Sequence, residues 1–442
     1  MATAATLITS IRQYVHVRMS YPESVRYLYS LGNELKTGAK FGLERMRALL
    51  AELGNPESGQ RFVHVAGTNG KGSTCAMIAA ALSRSGLRTG LYTSPHLVEP
   101  TERIRIDGVP ITASEFAAAF ETVHAAAEKL LAKERIDAHP SYFETVTAMG
   151  FLILRDRCDV GVIEVGLGGR LDATNVILPE LCAITPVSFD HESFLGNTLE
   201  SIAFEKAGIL KRGVPVIVAH QTPQAEAVIL RRARELGCEV IRTVDAQAAS
   251  VTLTAHGCSF SIEGIPYHCA LAGEHQVENA VAAILACRRL GVDTAAIQAG
   301  LAAVEWPGRI EFVRRHPDFI LDGAHNPAGA TALAAYIRRF FSGRPVWIVY
   351  AAMRDKAIEE VTTRLFPLAD RLIVTAPDSP RALRPQAILE AAGHPNAVIA
   401  PKVADAIQLA AAAPPNAAVF FTGSLFLVGE ARALLASNKM KH

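Results

Sequence analysis

The feature that most constrains this chain is a short apolar strand followed at once by a glycine-rich turn and an alanine-rich helix. Residues 62–66 predict the strand, residues 67–74 read GTNGKGST, and the helix is predicted from Ser73 onward. Glycines let backbone amides approach phosphate oxygens, and the N-terminus of a helix attracts negative charge. The pattern therefore predicts an α/β fold in which a strand leads into a phosphate-binding loop.

The side chains of this loop suit a nucleotide and its metal ion. Lys71 adds a positive charge, and the hydroxyl of Ser73 or Thr74 can reach a phosphate-bound Mg²⁺. Gly72 separates the lysine from the hydroxyl, so the match to the Walker pattern is not strict, and a glycine-rich turn without a ligand is the alternative. The candidate nucleotide-binding residues are Gly67, Thr68, Asn69, Gly70, Lys71, Gly72, Ser73 and Thr74.

Composition limits the class of protein. A chain of 442 residues is too long for one ordinary core, so we expect two domains. The formal net charge of +1 gives no basic excess for holding nucleic acid. The seven cysteines include no CxxC pair, which favours buried free thiols in a reducing compartment. Neither a leader nor a stretch able to span a bilayer is recognisable, so we expect a cytoplasmic protein that does not bind membranes.

Two ionisable residues are expected near the carboxyl ends of predicted strands, where open α/β sheets bind their ligands, and a third lies on the helix that follows. Glu164 lies close to the C-terminal end of the strand predicted at 160–165 and suggests a second Mg²⁺ anchor; a salt-bridged glutamate on an edge strand is the alternative. His191 follows the strand predicted at 181–187 and reaches the same edge. Lys206 lies among apolar residues, which predicts a depressed pKa unless the side chain extends to solvent.

Two further loops are expected at this edge. Residues 94–97, SPHL, follow a strand predicted at 89–93 and lie where a substrate could bind. His96 could equally be an ordinary surface residue. The glycines of the sequence GLGG predict a flexible loop that presents Arg170 and Asp172.

Helices and a small sheet are predicted around these loops. Residues 21–57 predict helices that lead into the first strand, and residues 248–271 alternate like antiparallel strands. The helix that follows begins with His275, Gln276 and Asn279, which are unusual companions at a helix start. A plain capping cluster is the alternative explanation.

The sequence WPGR at residues 306–309 is the clearest linker signal. Beyond it strands and helices alternate again, and the turn DGAHNP at 322–327 follows the next strand. This restart predicts a second α/β domain with its own sheet, so we divide the chain into residues 1–306 and 307–442.

A series of motifs in this chain resembles the Mur ligase superfamily and, within it, folylpolyglutamate synthase and the bifunctional dihydrofolate synthase enzymes. In chain order the motifs are HVAGTNGKGS, SPHL, TERIRIDG, EVGLGGRLDATN, EKAGI, GEHQVENA, WPGR and LDGAHNP. The resemblance covers nearly the whole chain. It implies an N-terminal domain with a P-loop-type, mostly parallel sheet that binds ATP and a pterin. It also implies a smaller Rossmann-like C-terminal α/β domain that binds nucleotide and glutamate, in a monomeric protein.

The activity implied by the resemblance is ATP-dependent amide formation. The γ-phosphate passes to a carboxylate of a folate, and the amine of L-glutamate then displaces it from the acyl phosphate, leaving ADP and phosphate. TERIRIDG and GGRLDATN lean toward an enzyme that also acts on dihydropteroate. The alternatives are a ligase for a cell-wall UDP-sugar precursor and a nucleotide-binding protein that has lost catalysis.

The resemblance also implies roles for individual residues. The catalytic residues would be Lys71, His191, Lys206 and His325. Of two Mg²⁺ ions, one would be held by Ser73 and Glu164 and the other by His191 and a carbamylated Lys206; a K⁺ ion is a further candidate. Contacts to adenine, phosphate and ribose would come from Asn279, Arg309 and Asp322. The substrate-binding residues would be Ser94, Pro95, His96, Phe143, Asp172, His325 and Ser424.

Overall fold

The structure, a computed structural model, describes residues 19–32, 42–354 and 358–439. Part of the helical prediction for residues 21–57 therefore lies outside the described residues, and so does the N-terminal stretch in which no leader is recognisable. No helix in the described ranges is long and apolar enough to cross a membrane.

The first sheet has eight strands, and its centre consists of parallel strands that are buried on both faces. The strands are β1 Arg61–Ala66, β2 Thr89–Tyr92, β3 Ile104–Ile106, β4 Val109–Pro110, β5 Val160–Glu164, β6 Leu181–Ile184, β7 Val216–Val218 and β8 Val240–Arg242. Their order is β4-β3-β2-β5-β1-β6-β7-β8, and only β3 and β4 run antiparallel to their neighbours. The predicted mostly parallel sheet is thus confirmed.

Helices cover both faces of this sheet because successive strand residues point to opposite sides. The helices are α1 Tyr21–Ser30, α2 Glu44–Glu52, α3 Lys71–Arg84, α4 Ala113–Ala132, α5 Tyr142–Arg157, α6 Glu192–Leu195, α7 Leu199–Ala207, α8 Pro223–Leu236, α9 Glu274–Arg289 and α10 Thr294–Ala303. In β1, Val63 and Val65 pack with α3, α9 and α10, whereas Phe62 packs on the other face with α4 and α5. Cys182 and Ile184 of β6 pack with α7 and α8.

A small antiparallel sheet lies against α9 and α10, as the alternation of residues 248–271 predicts. Its strands are β9 Ala249–Thr254, β10 Gly257–Ile262 and β11 Ile265–Cys269. All seven cysteines of the chain are free, and six of them are buried, in agreement with the prediction of buried thiols.

The second large sheet has six strands with helices on both faces, which confirms the smaller C-terminal α/β unit. Its strands are β12 Glu311–Arg314, β13 Asp318–Leu321, β14 Val346–Tyr350, β15 Arg371–Val374, β16 Ala397–Ile399 and β17 Ala418–Thr422, in the order β12-β13-β17-β14-β15-β16. Only β12 is antiparallel. The helices are α11 Pro327–Phe340, α12 Ile358–Leu365, α13 Pro385–Ala391, α14 Val403–Ala411 and α15 Leu425–Lys439. The predicted division at residues 306 and 307 falls between α10 and β12.

The strand predicted at 181–187 is shorter in the structure for a local reason. It ends at Ile184, because Pro186 has no N–H to donate and its carbonyl instead accepts the amides of Thr68 and Asn69. Strand β3 lies within the motif TERIRIDG and pairs antiparallel with β2.

Candidate functional site

Three parallel strands end at the same edge of the first sheet and bring the predicted site residues together. Val65 of β1 is in register with Glu164 of β5 and with Ala183 of β6. The glycine-rich loop after β1, the end of β5 and the loop after β6 are therefore neighbours. This is the edge at which parallel α/β sheets bind their ligands.

The glycine-rich loop has the backbone geometry of an anion cradle. Gly67 and Gly70 have φ angles of 149° and 85°, in the region that favours glycine. Helix α3 begins at Lys71, so the amides of its first residues have no intrahelical acceptor and point out of the helix start. The Lys71 ammonium lies 3.2 Å from the carbonyl oxygen of Thr68, which keeps it over the loop.

Thr68 and Asn69 brace the loop. Their backbone amides donate to the carbonyl oxygen of Pro186, at 2.9 and 3.3 Å. The Thr68 hydroxyl donates to the Ser188 carbonyl and accepts from the Ser188 amide, and the Asn69 side-chain amide donates to the Ser188 hydroxyl. The loop amides left for a ligand are therefore those at the start of α3. A nucleotide contact by Thr68 and Asn69 stays a prediction.

Glu164 ends a central strand and is buried, with 5% of its surface exposed. Burial raises the pKa of its carboxyl group, and the positive charge of Lys71 acts against this rise. One carboxylate oxygen accepts the Ser94 amide at 3.1 Å, and no salt bridge to it is found among the described residues. The alternative of a salt-bridged edge glutamate is therefore wrong, and the carboxylate is suited to a cation.

Two hydroxyl groups lie at the start of α3, directly after Gly72, which lines a pocket together with Glu164. Ser73 is buried, and its Oγ lies 3.4 Å from the side-chain nitrogen of Gln276. The Oγ1 of Thr74 is buried and has no hydrogen-bond partner in the described part of the chain. Buried polar atoms without partners are uncommon, so the hydroxyl has capacity for a further interaction.

Lys206, on α7, is buried beneath the phosphate loop. Its ammonium donates to the Gly67 carbonyl oxygen at 2.8 Å. Burial, together with the positive charge of Lys71, lowers the pKa of Lys206 from 10.5 to about 7. The depressed pKa expected from the apolar neighbours is thus present, and the alternative of a side chain extending to solvent is wrong.

We call the part of the chain built on the eight-stranded sheet the first lobe and the part built on the sheet of β12 to β17 the second lobe. The loop after β6 meets the second lobe at a polar contact. The side-chain nitrogen of Asn326 donates to the Asn69 side-chain oxygen at 3.0 Å and to Asp190 at 3.3 Å. The Nε2 atom of His325 lies 3.7 Å from Asp190, and Nε2 of His191 lies 3.8 Å from the same carboxylate. Asp190 is therefore a site residue that the sequence reasoning did not select, although its position beside His191 in the DH motif was a signal for it.

The linker between the lobes carries Arg309 to this cleft. Asp322 is buried, and its two oxygens accept the amides of Ile310 and Ala324, at 3.1 and 3.0 Å. Burial raises the pKa of Asp322, which the charge of Arg309 opposes. Asp322 thus holds the linker and the turn before α11 together, and its ribose contact stays a prediction.

The start of α9 packs on the phosphate loop. A Cβ atom added to Gly70 would lie 2.2 Å from the Asn279 side-chain oxygen, and the Asn279 side-chain nitrogen donates to Gln276 at 3.0 Å. No side chain caps this helix, so the capping-cluster alternative is wrong. His275 is half-buried, burial lowers its pKa to about 4, and its buried Nδ1 has no partner among the described residues.

The SPHL segment lines the cleft between Glu164 and the linker, in a pocket that also includes Trp306 and Arg309. His96 is not a free surface residue. Its Nδ1 accepts from Arg103 at 2.9 Å and its Nε2 lies 3.2 Å from the Tyr29 hydroxyl; burial and then Arg103 lower its pKa to about 3. Ser94 and Pro95 lie in the same pocket lining.

The glycine loop after β5 does not present Asp172 to solvent, contrary to the expectation. Asp172 is buried; it accepts the Leu167 amide at 2.8 Å and the amide and hydroxyl of Thr174, at 3.0 and 2.5 Å. Arg170 is paired with Glu205 at 2.9 Å. An aspartate that follows a glycine turn satisfies its own loop, which explains the difference.

The last two predicted substrate residues lie on different elements. Phe143 is in the first turn of α5 and packs so closely on Gly166 that an added Cβ would lie 2.4 Å from its ring. Ser424 is buried just before α15, and its hydroxyl accepts the amide of Phe426 at 3.2 Å. Their contacts to a substrate stay predictions.

Known protein families and relatives match nearly the whole length of this chain. Residues 65–287 match the Mur ligase middle domain, and residues 308–425 match the Mur ligase glutamate ligase domain. A dihydrofolate synthase/folylpolyglutamate synthase of Bacillus subtilis is 36% identical over 416 residues, which cover 91% of this chain and 96% of that protein. A folylpolyglutamate synthase of Lacticaseibacillus casei is 36% identical over 439 residues, covering 95% and 100%.

Solved structures agree with these relatives. Mycobacterium tuberculosis folylpolyglutamate synthase complexed with ADP superposes with a TM-score of 0.87 at 34% identity, covering 93% of this chain and 98% of the other. E. coli FolC in complex with DHPP and ADP gives a TM-score of 0.83 at 30% identity, covering 95% and 100%.

Proposed function

Because the chain belongs to the Mur ligase family and, within it, to the folylpolyglutamate and dihydrofolate synthases, we propose that it joins L-glutamate to folates and to dihydropteroate through an acyl phosphate. The relatives that match along nearly their whole length are folylpolyglutamate and dihydrofolate synthases, which argues against the cell-wall ligase and the inactive protein. One observation carries the proposal for this chain. The phosphate loop and the DGAHNP turn of the second lobe meet through Asn69 and Asn326, 3.0 Å apart, at one cleft.

ATP would bind with its phosphates over the start of α3. The free amides there and the Lys71 ammonium supply donors and positive charge for the β- and γ-phosphates. Asn279 lies against Gly70 and could contact the adenine, while Arg309 enters the cleft from the linker. A similar folylpolyglutamate synthase is complexed with ADP, which supports nucleotide binding by this chain.

Mg²⁺ fits the donor groups at the loop. Glu164 is a buried carboxylate without a salt-bridge partner among the described residues, and the hydroxyls of Ser73 and Thr74 lie at the adjoining helix start. Oxygen donors of this kind are those that Mg²⁺ prefers. A bound magnesium ion offsets negative charge on the transferred phosphoryl group. His191 and Lys206 would hold a second ion, and a K⁺ ion remains a candidate.

Lys206 is suited to carbamylation. With its pKa lowered to about 7 by burial, a large share of the amine is neutral at physiological pH. The ammonium first loses one proton; the neutral amine nitrogen then adds to the carbon of carbon dioxide and loses a second proton, so that a cation becomes an anion. The remaining N–H can still donate to the Gly67 carbonyl oxygen.

The residues around the cleft suit the two chemical steps. In the first, a carboxylate oxygen of the folate bonds to the γ-phosphorus as the bond to ADP breaks, and Lys71 and Arg309 stabilise the charge. In the second, the glutamate nitrogen bonds to the acyl carbon, phosphate leaves and the nitrogen loses a proton. The Nδ1 of His325 lies 2.7 Å from the Gly323 carbonyl, which only accepts, so Nε2 and Asp190 are available to take that proton.

The pterin would lie on the side of the cleft formed by Ser94, Pro95, His96 and Phe143. An aromatic ring and an anchored imidazole offer the stacking and hydrogen bonding that a pterin needs. The E. coli relative is described in complex with DHPP, which supports dihydropteroate as a second substrate. Glutamate would enter from the second lobe near His325 and Ser424. The domain division at residues 306 and 307, a monomeric state and a cytoplasmic location stay predictions.

Mass spectrometry of the products tests the proposal. The purified chain is incubated with ATP, Mg²⁺, bicarbonate and L-glutamate, together with either dihydropteroate or a reduced folate. Addition of one glutamate to dihydropteroate and of more to the folate is expected, with ADP formed in equal amount. Extension of the folate alone would remove dihydropteroate from the proposal, and no mass gain on either would refute it.

Matched lysine variants make this assay specific. Lys71→Met removes the charge over the phosphate loop and should abolish product formation. Lys129→Met changes an exposed lysine on α4, far from the loop in the fold, and should leave product formation unchanged. Equal activity of the two variants would argue against phosphoryl transfer at this loop.

A further inference from the structure

Three potential metal ligands lie together on the flank of the first lobe, away from the cleft. His124 and Glu128 are one turn apart on α4, and His139 lies in the connection between α4 and α5. Each offers one ligand atom, and these atoms all lie within 4.8 Å of one another. None of the three has a role in the proposed reaction. We call them the α4 cluster.

The two imidazole rings of the α4 cluster are held by aromatic packing. Phe120 stacks on the His124 ring, with centroids 5.5 Å apart and planes 6° apart. Tyr27 packs edge-on against both rings, at 4.6 Å from His124 and 5.8 Å from His139. The side chains of His124 and His139 are 18% and 15% exposed. Their nitrogens are therefore oriented before any ligand arrives, which reduces the entropy cost of binding.

A backbone contact sets the tautomer of His139. Its Nδ1 lies 2.9 Å from the Pro140 carbonyl oxygen, which can only accept, so Nδ1 carries the proton. The lone pair of Nε2 then faces His124. Metal-binding histidines are commonly oriented by a hydrogen bond of this kind from the other ring nitrogen.

The separation of the two nitrogens matches a tetrahedral zinc site. Nδ1 of His124 and Nε2 of His139 are 3.4 Å apart, which is long for an N–H···N hydrogen bond. Two nitrogens that each lie ~2.0–2.1 Å from a tetrahedral Zn²⁺ are about 3.3–3.4 Å apart. A Glu128 oxygen lies 4.0 and 3.9 Å from the same nitrogens, and its side chain is 55% exposed, so a rotation can bring it into coordination.

We propose that His124, Glu128 and His139 bind one divalent transition-metal ion of the zinc class, with water in the fourth position. Two imidazole nitrogens and one carboxylate oxygen favour zinc-class ions over Mg²⁺, which prefers oxygen ligands. The ion would join α4 to the segment that leads into α5, and the first turn of α5 carries Phe143, which packs on Gly166. Its expected effect is to stabilise the entry to α5.

Cobalt is a suitable probe because tetrahedral Co²⁺ with imidazole ligands absorbs visible light. The full chain, freed of metal, is titrated with Co²⁺ and, in parallel, with Zn²⁺ in a calorimeter. We expect one ion per chain bound at the α4 cluster and a higher thermal midpoint with Zn²⁺. His139→Gln and Glu128→Gln should each weaken this binding at least tenfold and remove the thermal shift.

Two control variants separate the α4 cluster from other histidines. His268→Gln changes an exposed histidine on β11 and should bind as the parent does. His191→Gln tests whether the ion occupies the cleft and should also retain the cobalt spectrum. The proposal is overturned if both cluster variants bind like the parent, or if only His191→Gln abolishes binding. Circular dichroism checks folding, and Glu128→Gln, at an exposed position, preserves the test if His139→Gln unfolds.

Discussion

Substitution of Gly70 by alanine should damage the phosphate loop specifically. Gly70 precedes α3 with φ 85° and ψ −11°, in the left-handed region. An added Cβ would lie 2.2 Å from the Asn279 side-chain oxygen and 3.0 Å from its Cγ. Asn279 is itself buried and bonded to Gln276, so it cannot simply turn away. Either the asparagine or the loop has to move.

The cost follows from these contacts. A residue with a Cβ in the left-handed region costs about 1–2 kcal/mol. Breaking the hydrogen bond between Asn279 and Gln276 costs about 1 kcal/mol more. The total of roughly 2–3 kcal/mol is relieved when the loop shifts, and the shift withdraws the amides at the start of α3 from the phosphates. Since 1.4 kcal/mol is tenfold in affinity, we expect nucleotide binding to weaken by roughly 30-fold to 140-fold.

Gly86 provides the matched control at the other end of the same helix. It has φ 92°, but nothing lies within 4 Å of an added Cβ. Gly86→Ala therefore carries the backbone cost of about 1–2 kcal/mol without touching the site. Both variants should lower the thermal midpoint, and only Gly70→Ala should lose affinity for ADP or a non-hydrolysable ATP analogue.

Calorimetric titration and thermal unfolding of the parent and both variants check this prediction. Binding by Gly70→Ala that stays within about twofold of the parent would refute the reasoning, because the strain would then leave the cradle unmoved. Equal loss of affinity in Gly86→Ala would show that general destabilisation, not the contact with Asn279, controls binding.

Three further predictions concern the cleft. Arg309→Ala should lower turnover by at least about tenfold with little change in thermal midpoint, because its guanidinium acts on the transferred charge; parallel losses of stability and activity would contradict this. Burial lowers the pKa of Lys206 to about 7 in the folded chain, whereas its ordinary value is 10.5. Between these two pH values the unfolded chain binds one more proton than the folded chain, so the free energy of unfolding of the parent rises with pH. In bicarbonate-free buffer with EDTA, Lys206→Met should therefore have a higher free energy of unfolding than the parent below pH 7. Above pH 7 the difference between variant and parent should shrink by about 1.4 kcal/mol per pH unit. A difference that calorimetry finds to be independent of pH would count against the buried amine. Asn326→Asp keeps the oxygen that caps α11 but places a carboxylate about 3.3 Å from Asp190. Because the two negative charges repel each other, steady-state kinetics should give at least tenfold lower turnover while α11 stays intact. Unchanged turnover would mean that the approach of the two lobes does not depend on this contact.

The phosphate loop, Glu164 and Lys206 could be predicted because each depends on local sequence. A glycine-rich turn between an apolar strand and a helix has few alternative structures. A charged residue inside an apolar strand or helix has to be buried near a partner. The parallel register then brings these separate segments to one edge without further information.

The orientation of Asp172 and the role of Asp190 could not be predicted in this way. Asp172 turns inward because Leu167 and Thr174 offer it donors within its own loop. Asp190 becomes a site residue only when the second lobe docks and brings Asn326 and His325 to it. These contacts join residues far apart in sequence, and periodicity carries no signal for them.

The contacts between the lobes couple the phosphate loop to the SPHL segment. On one side, Asn69 is joined to Asn326 by a single hydrogen bond at 3.0 Å, which is weak enough to break and reform. On the other side, Leu97 packs into the apolar cluster beneath α15, and its carbonyl oxygen lies so close to Gly429 that an added Cβ would be 1.9 Å away. If the second lobe rotated so that the contact at Asn69 opened, these contacts would carry Leu97 with it. Because Ser94 in the same segment donates to Glu164, this motion also reaches the carboxylate that would hold the metal ion.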